Sequence, residues 1–243
     1  MHPFKAYLRT ACQQLLGFPN YLFLFSVWNI ARIRWGGYEK EFIHFLRLLP
    51  SHGTVLDIGA NIGIMTTLLA KKANALTVYA FEPVPENIRA MKKVIRFHRL
   101  SNVKIFSNAL GDSNSMEQMI MPVIHHAKMQ GLSHVVEPAD KKKQGQIFSI
   151  PMRRMDDMAE LQELEEITAI KIDVENFEYY VLKGGQGVLK KHRPLVFCEL
   201  WGDGRRALCI DLMKSLDYRV AIYHQGKLID FDGQPAINFF FIP

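Results

Sequence analysis

Residues 55–63 read VLDIGANIG, an aliphatic run that ends in an acid and then two glycines set around an asparagine. With Thr54 the run has the composition of a buried strand, TVLDI (54–58), and GIMTTLLAKKA (63–73) after it has that of a helix. Asp57 is therefore delivered to a strand end. Gly59 and Gly63 let the backbone turn tightly and approach a ligand with no Cβ in the way. Asn61 between them tolerates a left-handed backbone.

Working outward, the alternation of strand and helix continues. LTVYAFE (76–82) reads as a second strand ending in Glu82, and Pro83 and Pro85 open a helix with Val84, Ile88, Met91 and Ile95 on its buried stripe. VKIFSNAL (103–110), AIKID (169–173) and PLVFCEL (194–200) read as the third, fourth and fifth strands. A helix over 205–216 is expected to bury Leu208, Leu212 and Leu216. YRVAIY (218–223) and AINFFFI (236–242) flank the turn-rich HQGKLIDFDGQP and are expected to pair antiparallel.

Near-continuous apolar strands between helices predict an α/β fold, a mostly parallel sheet with helices on both faces. Ligands in such sheets bind at the carboxyl ends of the strands. Asp57, Glu82, Asp173 and Glu199 all fall at that rim.

The turn is GxNxG rather than GxGxxG, carries no lysine or arginine, and follows an acid that would repel a pyrophosphate. Glu82 on the neighbouring strand is placed to accept ribose hydroxyls, the usual use of an acid after a glycine turn. A ribose cofactor without phosphates, with a cationic centre and an amino-acid tail, fits this rim. S-adenosylmethionine has that constitution.

VLDIGANIG, AFEPVPEN, NALGD, IKIDVENFE and the closing NFFFIP, in this order, resemble the FkbM family of S-adenosylmethionine-dependent methyltransferases over residues 52–243. The resemblance implies a class I methyltransferase, Rossmann-like fold. Its seven-stranded sheet has the order three-two-one-four-five-seven-six, with the last strand antiparallel. It implies methyl transfer to a hydroxyl of a sugar, glycolipid or secondary metabolite. By position, Asp57, Gly59, Asn61 and Gly63 would form the cofactor loop, Glu82 would hold the ribose, and Asn108 with Ala109 would lie beside the adenine. Asp173 would face the methyl group with Glu175 and Glu178 nearby. The family pattern KIDVEG is here KIDVEN; asparagine is the best replacement for a turn glycine, so Asn176 is expected to preserve the turn.

An alcohol must lose a proton as it attacks, so a base is needed. Asp173 is the first candidate and Glu175 the second; His125, His126 and His134 are others. A divalent ion on Asp173, Glu175 and Glu199 would be another route, although no spacing demands it and no metal site is assigned. A nicotinamide dehydrogenase, a nucleic-acid methyltransferase and a non-catalytic nucleotide-binding module are competing readings. No Asn/Asp-Pro-Pro-aromatic motif or Pro-Cys nucleophile supports the second, and no nucleic-acid partner is expected.

Composition sets the remaining bounds. Apolar residues make up 49% of the 243 and the net charge is +6, enough for a substantial core and a modest bias toward acidic partners. Cys12, Cys198 and Cys209 show no zinc spacing, so a cytoplasmic chain is expected. Residues 1–50 read as a helical extension of the 51–243 methyltransferase domain. YEKEFIHFLRLL (38–49) puts Phe42, Phe45, Leu46 and Leu49 on one face, and Pro50 ends it. YLFLFSVW (21–28) is too short to span a bilayer, which takes ~20 apolar residues. It is expected to pack on the domain; the alternative is a helix at a membrane surface, with Lys5, Arg9, Arg32 and Arg34 near headgroups. Residues 111–148, polar and holding KKK at 141–143, read as a mobile lid or substrate-contacting loop. Met116, Met119, Met121 and Met129 are candidates for an apolar pocket wall.

Overall fold

Successive residues of β1 (His52–Ile58) point to opposite faces of the sheet, and both sets are apolar. Val55 joins a core with Val78, Ala169, Phe197 and Phe240, while Leu56 and Ile58 join another with Phe81, Ile170, Ile172 and Phe241. A strand apolar on both sides must be covered on both, and the helices supply the cover. In the computed structural model the described residues are 3–243 except 36–37, 74, 138–143 and 203, and the side chains of residues 3–7 lie outside the description.

Helices α1 (Pro3–Leu16), α2 (Phe18–Arg34) and α3 (Lys40–Leu48) precede β1. The alternation continues with α4 (Ile64–Ala70), β2 (Ala75–Phe81), α5 (Pro85–Phe97) and β3 (Val103–Phe106). A smaller sheet follows, built from β4 (Ala109–Leu110), β5 (Ser115–Ile124), β6 (Ala127–Lys128), β7 (His134–Val135) and β8 (Gly145–Arg153). The chain returns to the main sheet through α6 (Ala159–Gln162), β9 (Ile167–Ile172), α7 (Glu178–Lys183), α8 (Gln186–His192) and β10 (Leu195–Glu199). It closes with α9 (Gly204–Ser215), β11 (Arg219–His224), β12 (Lys227–Asp230) and β13 (Asn238–Ile242).

The main sheet runs β12-β11-β13-β10-β9-β1-β2-β3, with β13 antiparallel to both neighbours and the strands from β3 across to β10 parallel. This is the expected order and the expected antiparallel last strand, on a class I methyltransferase fold. It has eight strands rather than seven, because the KLID segment inside the expected turn pairs back on β11. The third strand also ends early. Residues 103–106 stay in the main sheet, and after Ser107 and Asn108 the chain leaves for the smaller sheet as β4.

That smaller sheet corrects the expected loop. Residues 115–122 and 145–152 pair in an antiparallel ladder, Met119 opposite Phe148, and Met119, Met121 and Ile150 share a buried cluster with Val84. The KKK run lies outside the described residues. His125 and His126 both take left-handed backbone at the exposed tip between β5 and β6.

α2 packs on the domain, with Leu22, Ser26, Asn29, Ile30 and Ile33 buried. Phe42, Phe45 and Leu49 are buried on and after α3 as expected, and Leu46 partly so. On α5 the buried residues are Asn87, Ala90, Met91 and Val94, with Ile88 and Ile95 at the margin. On α9 they are Cys209, Ile210 and Met213, joined by Leu216 just past the helix end, whereas Leu208 is exposed. Each burial of a large aliphatic or aromatic side chain is worth roughly 1.5–3 kcal/mol, so α9 turns its richer face inward.

Candidate active site

The turn after β1 is held on both sides by its neighbours. The amides of Gly59 and Ala60 donate to the Phe81 carbonyl at 3.1 and 3.0 Å, and the Asp173 amide donates to the Ile58 carbonyl at 3.1 Å. Gly59 has φ +78°, and a Cβ there would lie 1.9 Å from the Asp173 carbonyl oxygen. No other residue fits. Asn61 is left-handed at φ +50°, and its amide donates to Glu82 Oε2 at 2.8 Å.

Glu82 therefore clamps the turn. Its other oxygen accepts from the Val84 amide at 2.8 Å and Asn87 Nδ2 at 3.2 Å. Burial pushes its carboxyl up to about 7, against the opposing pull of those three donors and of Lys171. The carboxylate still faces a cleft of about 630 Å³, the mouth included, at the strand ends.

Seven expected site residues line this one cleft: Gly59, Asn61, Glu82, Asn108, Ala109, Asp173 and Glu175. Around it, Asn61 Oδ1, Asn87 Oδ1 and Gln130 Oε1 are buried and have no hydrogen-bond partner among the described residues. Buried acceptors without donors cost about 1–3 kcal/mol each. Three on one wall fit a ligand rich in N–H and O–H groups. Phe81, Met119, Val135 and Phe177 add apolar surface of the kind a purine ring packs on.

Two expected cofactor residues are elsewhere. Asp57 is fully buried and does not line the cleft. Its Oδ2 accepts from Thr66 Oγ1 at 2.6 Å and its Oδ1 pairs with Lys171 Nζ at 3.2 Å. Gly63, at φ +83°, sits at the start of α4, where a Cβ would meet Met91 Cγ at 2.7 Å. It permits α4 to pack on α5 and contacts no cleft. Both residues shape the loop from behind.

Lys171 was not singled out by sequence, yet it ties the rim together. Its ammonium donates to the Gly59 carbonyl at 3.0 Å, pairs with Asp57, and lies 3.8 Å from Asp173 Oδ2. Burial works to lower its pKa, but Asp57 and Asp173 outweigh that and hold it raised. A signal was present: a lysine in the apolar run AIKID falls opposite Asp57 in the β1–β9 register.

The turn after β9 uses a second buried glutamate. Glu178 Oε1 accepts from the amides of Val174 and Asn176 at 3.1 and 3.2 Å, and Glu175 and Asn176 are left-handed at φ +53° and +73°. Asparagine thus holds the glycine conformation, as expected. Burial raises Glu178 to about 7. Burial first, then Asp173, raises Glu175 to about 8 and Glu199 to about 7. The rim is acidic and keeps part of its protons at neutral pH.

A second cavity, of about 960 Å³ with its mouth, adjoins the first and shares Gly59, Asn61, Gln130, Gly131 and Asp173 with it. Its other wall comes from the N-terminal segment, with Phe25, Asn29, Tyr38 and Glu39. Asp173 is the only carboxylate among the described residues that lines both. Glu175 lines the first and a third cleft that also holds His134, whereas exposed His125 and His126 reach none. Of the methionines, Met119 lines the first cavity and Met129 the second, Met121 is core, and Met116 is exposed. Among the described residues no group of three His, Cys, Asp or Glu side chains could hold a metal ion.

A doubly wound sheet with this strand order, a glycine turn after its first strand and a donor-hungry cleft beside it defines a class I methyltransferase. Residues 57–220 match the Methyltransferase FkbM domain, and the chain belongs to the FkbM methyltransferase family. It is 25% identical over 216 residues to "Methyltransferase 1" of Beauveria bassiana, covering 76% of this chain and 83% of that protein. It is 27% identical over 175 residues to "Methyltransferase sdnD" of Sordaria araneosa, covering 61% of this chain and 65% of that one. The solved FkbM methyltransferase of Methylobacillus flagellatus superposes with a TM-score of 0.53 at 20% identity, over 80% of this chain and 45% of that chain. The chain thus spans less than half the length of that structure.

Proposed function

We propose that this methyltransferase uses S-adenosylmethionine to methylate a hydroxyl of a sugar, glycolipid or secondary-metabolite acceptor. The observation that carries the donor is the set of three unpaired buried acceptors, on Asn61, Asn87 and Gln130, around the cleft that Glu82 also lines. Glu82 would take the ribose hydroxyls, Asn108 and Ala109 would flank the base with Phe177, and Gly59 and Asn61 would meet the amino-acid end. When bound, the donor supplies an electrophilic methyl group on a sulfonium. The acidic rim favours a cation over a pyrophosphate, which sets this reading above a nicotinamide dehydrogenase.

The second cavity suits the acceptor. Phe25 and Tyr38 offer ring faces and Asn29 and Glu39 offer hydrogen-bonding edges, a mixture that suits a sugar-like molecule. Asp173 lies where donor and acceptor would meet. Its carboxylate would take the hydroxyl proton as the carbon–oxygen bond forms, and Lys171 beside it keeps it oriented. Alignment of the two partners across Asp173 supplies much of the remaining acceleration.

The test is Asp173→Asn, measured by calorimetry with S-adenosylmethionine and by methyl transfer to glycan or metabolite extracts followed by mass spectrometry. Donor binding within about threefold of wild type and a turnover loss of at least ~10²-fold are expected. An unchanged turnover removes Asp173 from the proton-transfer role. Absence of any binding heat with wild type removes the donor assignment.

A further inference from the structure

The outer faces of α2 and α5 combine two features that the site does not use. On α2, Asn20, Leu24, Trp28 and Arg32 follow at intervals of four, so they form one row along the helix. Leu24 is 49% and Trp28 54% exposed, and the Arg32 guanidinium stacks over the Trp28 ring at 4.6 Å. Leu15 and Leu16, also exposed, end α1 just before this row, and Asn20 Nδ2 donates to the Leu16 carbonyl.

α5 lies alongside. Phe97, 58% exposed, meets Phe23 edge-on at 5.5 Å, and Lys93 Nζ donates to Asn20 Oδ1 at 3.1 Å. The exposed side of α5 carries Arg89, Lys92, Lys93 and Arg96, with Arg99 just beyond. Residues 1–38 contain no acid and residues 87–111 contain none. The nearest acid, Glu86, has a carboxylate only 13% exposed, and that group accepts from Gln146 and faces Arg89. The result is a one-sign basic strip directly beside a row of exposed leucine, tryptophan and phenylalanine.

We propose that this α2–α5 face docks on an anionic lipid surface, with Leu24, Trp28 and Phe97 entering the headgroup region and the α5 cations over the lipid phosphates. A polyanion such as RNA would satisfy the cations and offer bases to stack on the aromatic rings, but would leave Leu15, Leu16 and Leu24 in water. A lipid interface takes both. The two features adjoin where Lys93 of the strip reaches Asn20 at the head of the Leu24–Trp28 row and Phe97 meets Phe23. No helix among the described residues is long and apolar enough to cross a membrane, so contact here would be peripheral. The notion differs from a headgroup role for Arg9, whose guanidinium turns inward to Met129 and the Phe25 ring.

The experiment is co-sedimentation of the full chain with vesicles of phosphatidylcholine alone and of phosphatidylcholine with 30–40% phosphatidylglycerol (roughly, a typical anionic fraction), alongside a single-stranded RNA of equal charge concentration. Wild type is accompanied by Trp28→Phe and by two multiple variants: Leu24→Ser with Trp28→Ser, and Lys92→Glu with Lys93→Glu and Arg96→Glu. Thermal melting checks that each variant folds. Wild type is expected to bind anionic vesicles at least ~30-fold better than neutral ones and to show a blue shift of tryptophan emission that Trp28→Phe removes. The charge-reversed variant should lose roughly a hundredfold in partitioning, and the serine variant at least ~10-fold. Equal binding to neutral and anionic vesicles overturns the proposal. So does retention of vesicle binding by the serine variant together with comparable binding to RNA, which would make the face a general polyanion site. Failure of wild type to sediment with either vesicle overturns it outright.

Discussion

The turn after β1 and the turn after β9 are built by one device and put to different use. In each, a buried glutamate accepts the amide of a left-handed residue and one further backbone amide: Glu82 takes those of Asn61 in the turn after β1 and of Val84 beyond β2, and Glu178 takes those of Asn176 and Val174. Both carboxyls are pushed to about 7, with burial the leading cause. Only Glu82 also lines the cleft. The difference teaches that an acid at a strand end is first a clamp for the backbone, and that ligand contact is an added role open only to the one with a free side toward the cavity.

The comparison is tested hardest from behind, through Lys171. Lys171→Met removes the cation paired with Asp57 and leaves that fully buried carboxylate with Thr66 as its partner among the described residues. Breaking a buried pair in this way costs about 3–5 kcal/mol, so a large fall in stability by chemical denaturation is expected, with loss of donor binding because the Gly59 carbonyl loses its donor. If stability changes by less than ~1 kcal/mol, the clamp is not held from behind as described. The same reasoning makes Asp57, buried and away from the cleft, a support for the loop from behind.

The two glutamates can then be set against each other directly. Glu82→Gln sets an amide NH2 against a donor in either orientation, the Asn61 amide on one side or the Val84 amide and Asn87 Nδ2 on the other, and removes the charge beside the proposed ribose position. Loss of a charge-assisted hydrogen bond is worth about 1.5–3 kcal/mol, so donor affinity should fall roughly 10–100-fold. Glu178→Gln should lower stability by about 1–2 kcal/mol while donor affinity stays within about threefold. Calorimetry and denaturation of the pair decide it. Equal affinity losses in both would erase the distinction between clamp and contact.

Most of the sheet, and the gathering of seven of the nine expected residues around one cleft, were legible because period, glycine and acid placement act through local backbone rules. What was not legible depended on neighbours distant in sequence. Asp57 reads as a ligand until the β1–β9 register sets Lys171 opposite it. Gly63 reads as part of a ligand turn until α5 brings Met91 against it. Asn87 closes the motif AFEPVPEN but was given no role, because only the start of α5 turns it onto the wall, and Gln130 joins from the smaller sheet's connecting turn with no motif to announce it. The smaller sheet itself was hidden because SMEQMIMPVI alternates only in its first half and its ladder partner begins after residue 144.

Protons sharpen the contrast next. Glu82, Glu175, Glu178 and Glu199 have folded values near 7 to 8, well above the ordinary 4.5. The folded protein therefore holds more protons than the unfolded chain between about pH 4.5 and 8, and stability falls as pH rises through that window. A cationic donor favours the ionised acids. S-adenosylmethionine should thus bind increasingly better than neutral S-adenosylhomocysteine as pH rises from about 6.5 to 8.5, by roughly 3–10-fold. A flat affinity ratio across that range would show that the rim acids do not face the sulfonium.

The smallest effect belongs to Asn176, one of two left-handed residues in the second turn. Asn176 sits at φ +73°, where asparagine is tolerated and glycine is free of side-chain crowding. Its amide still reaches Glu178, and its carbonyl accepts from Arg205 Nη1 at 2.6 Å, so both backbone partners survive replacement. Asn176→Gly relieves the strained backbone but enlarges the conformational freedom of the unfolded chain, and the two oppose each other. Net stability should move by less than ~1 kcal/mol and donor affinity by less than about twofold. A larger loss of turnover with binding intact would mean that the Asn176 side chain itself reaches the acceptor, through the third cleft that it lines beside Glu175 and Phe177, and the turn after β9 would then be more than a clamp.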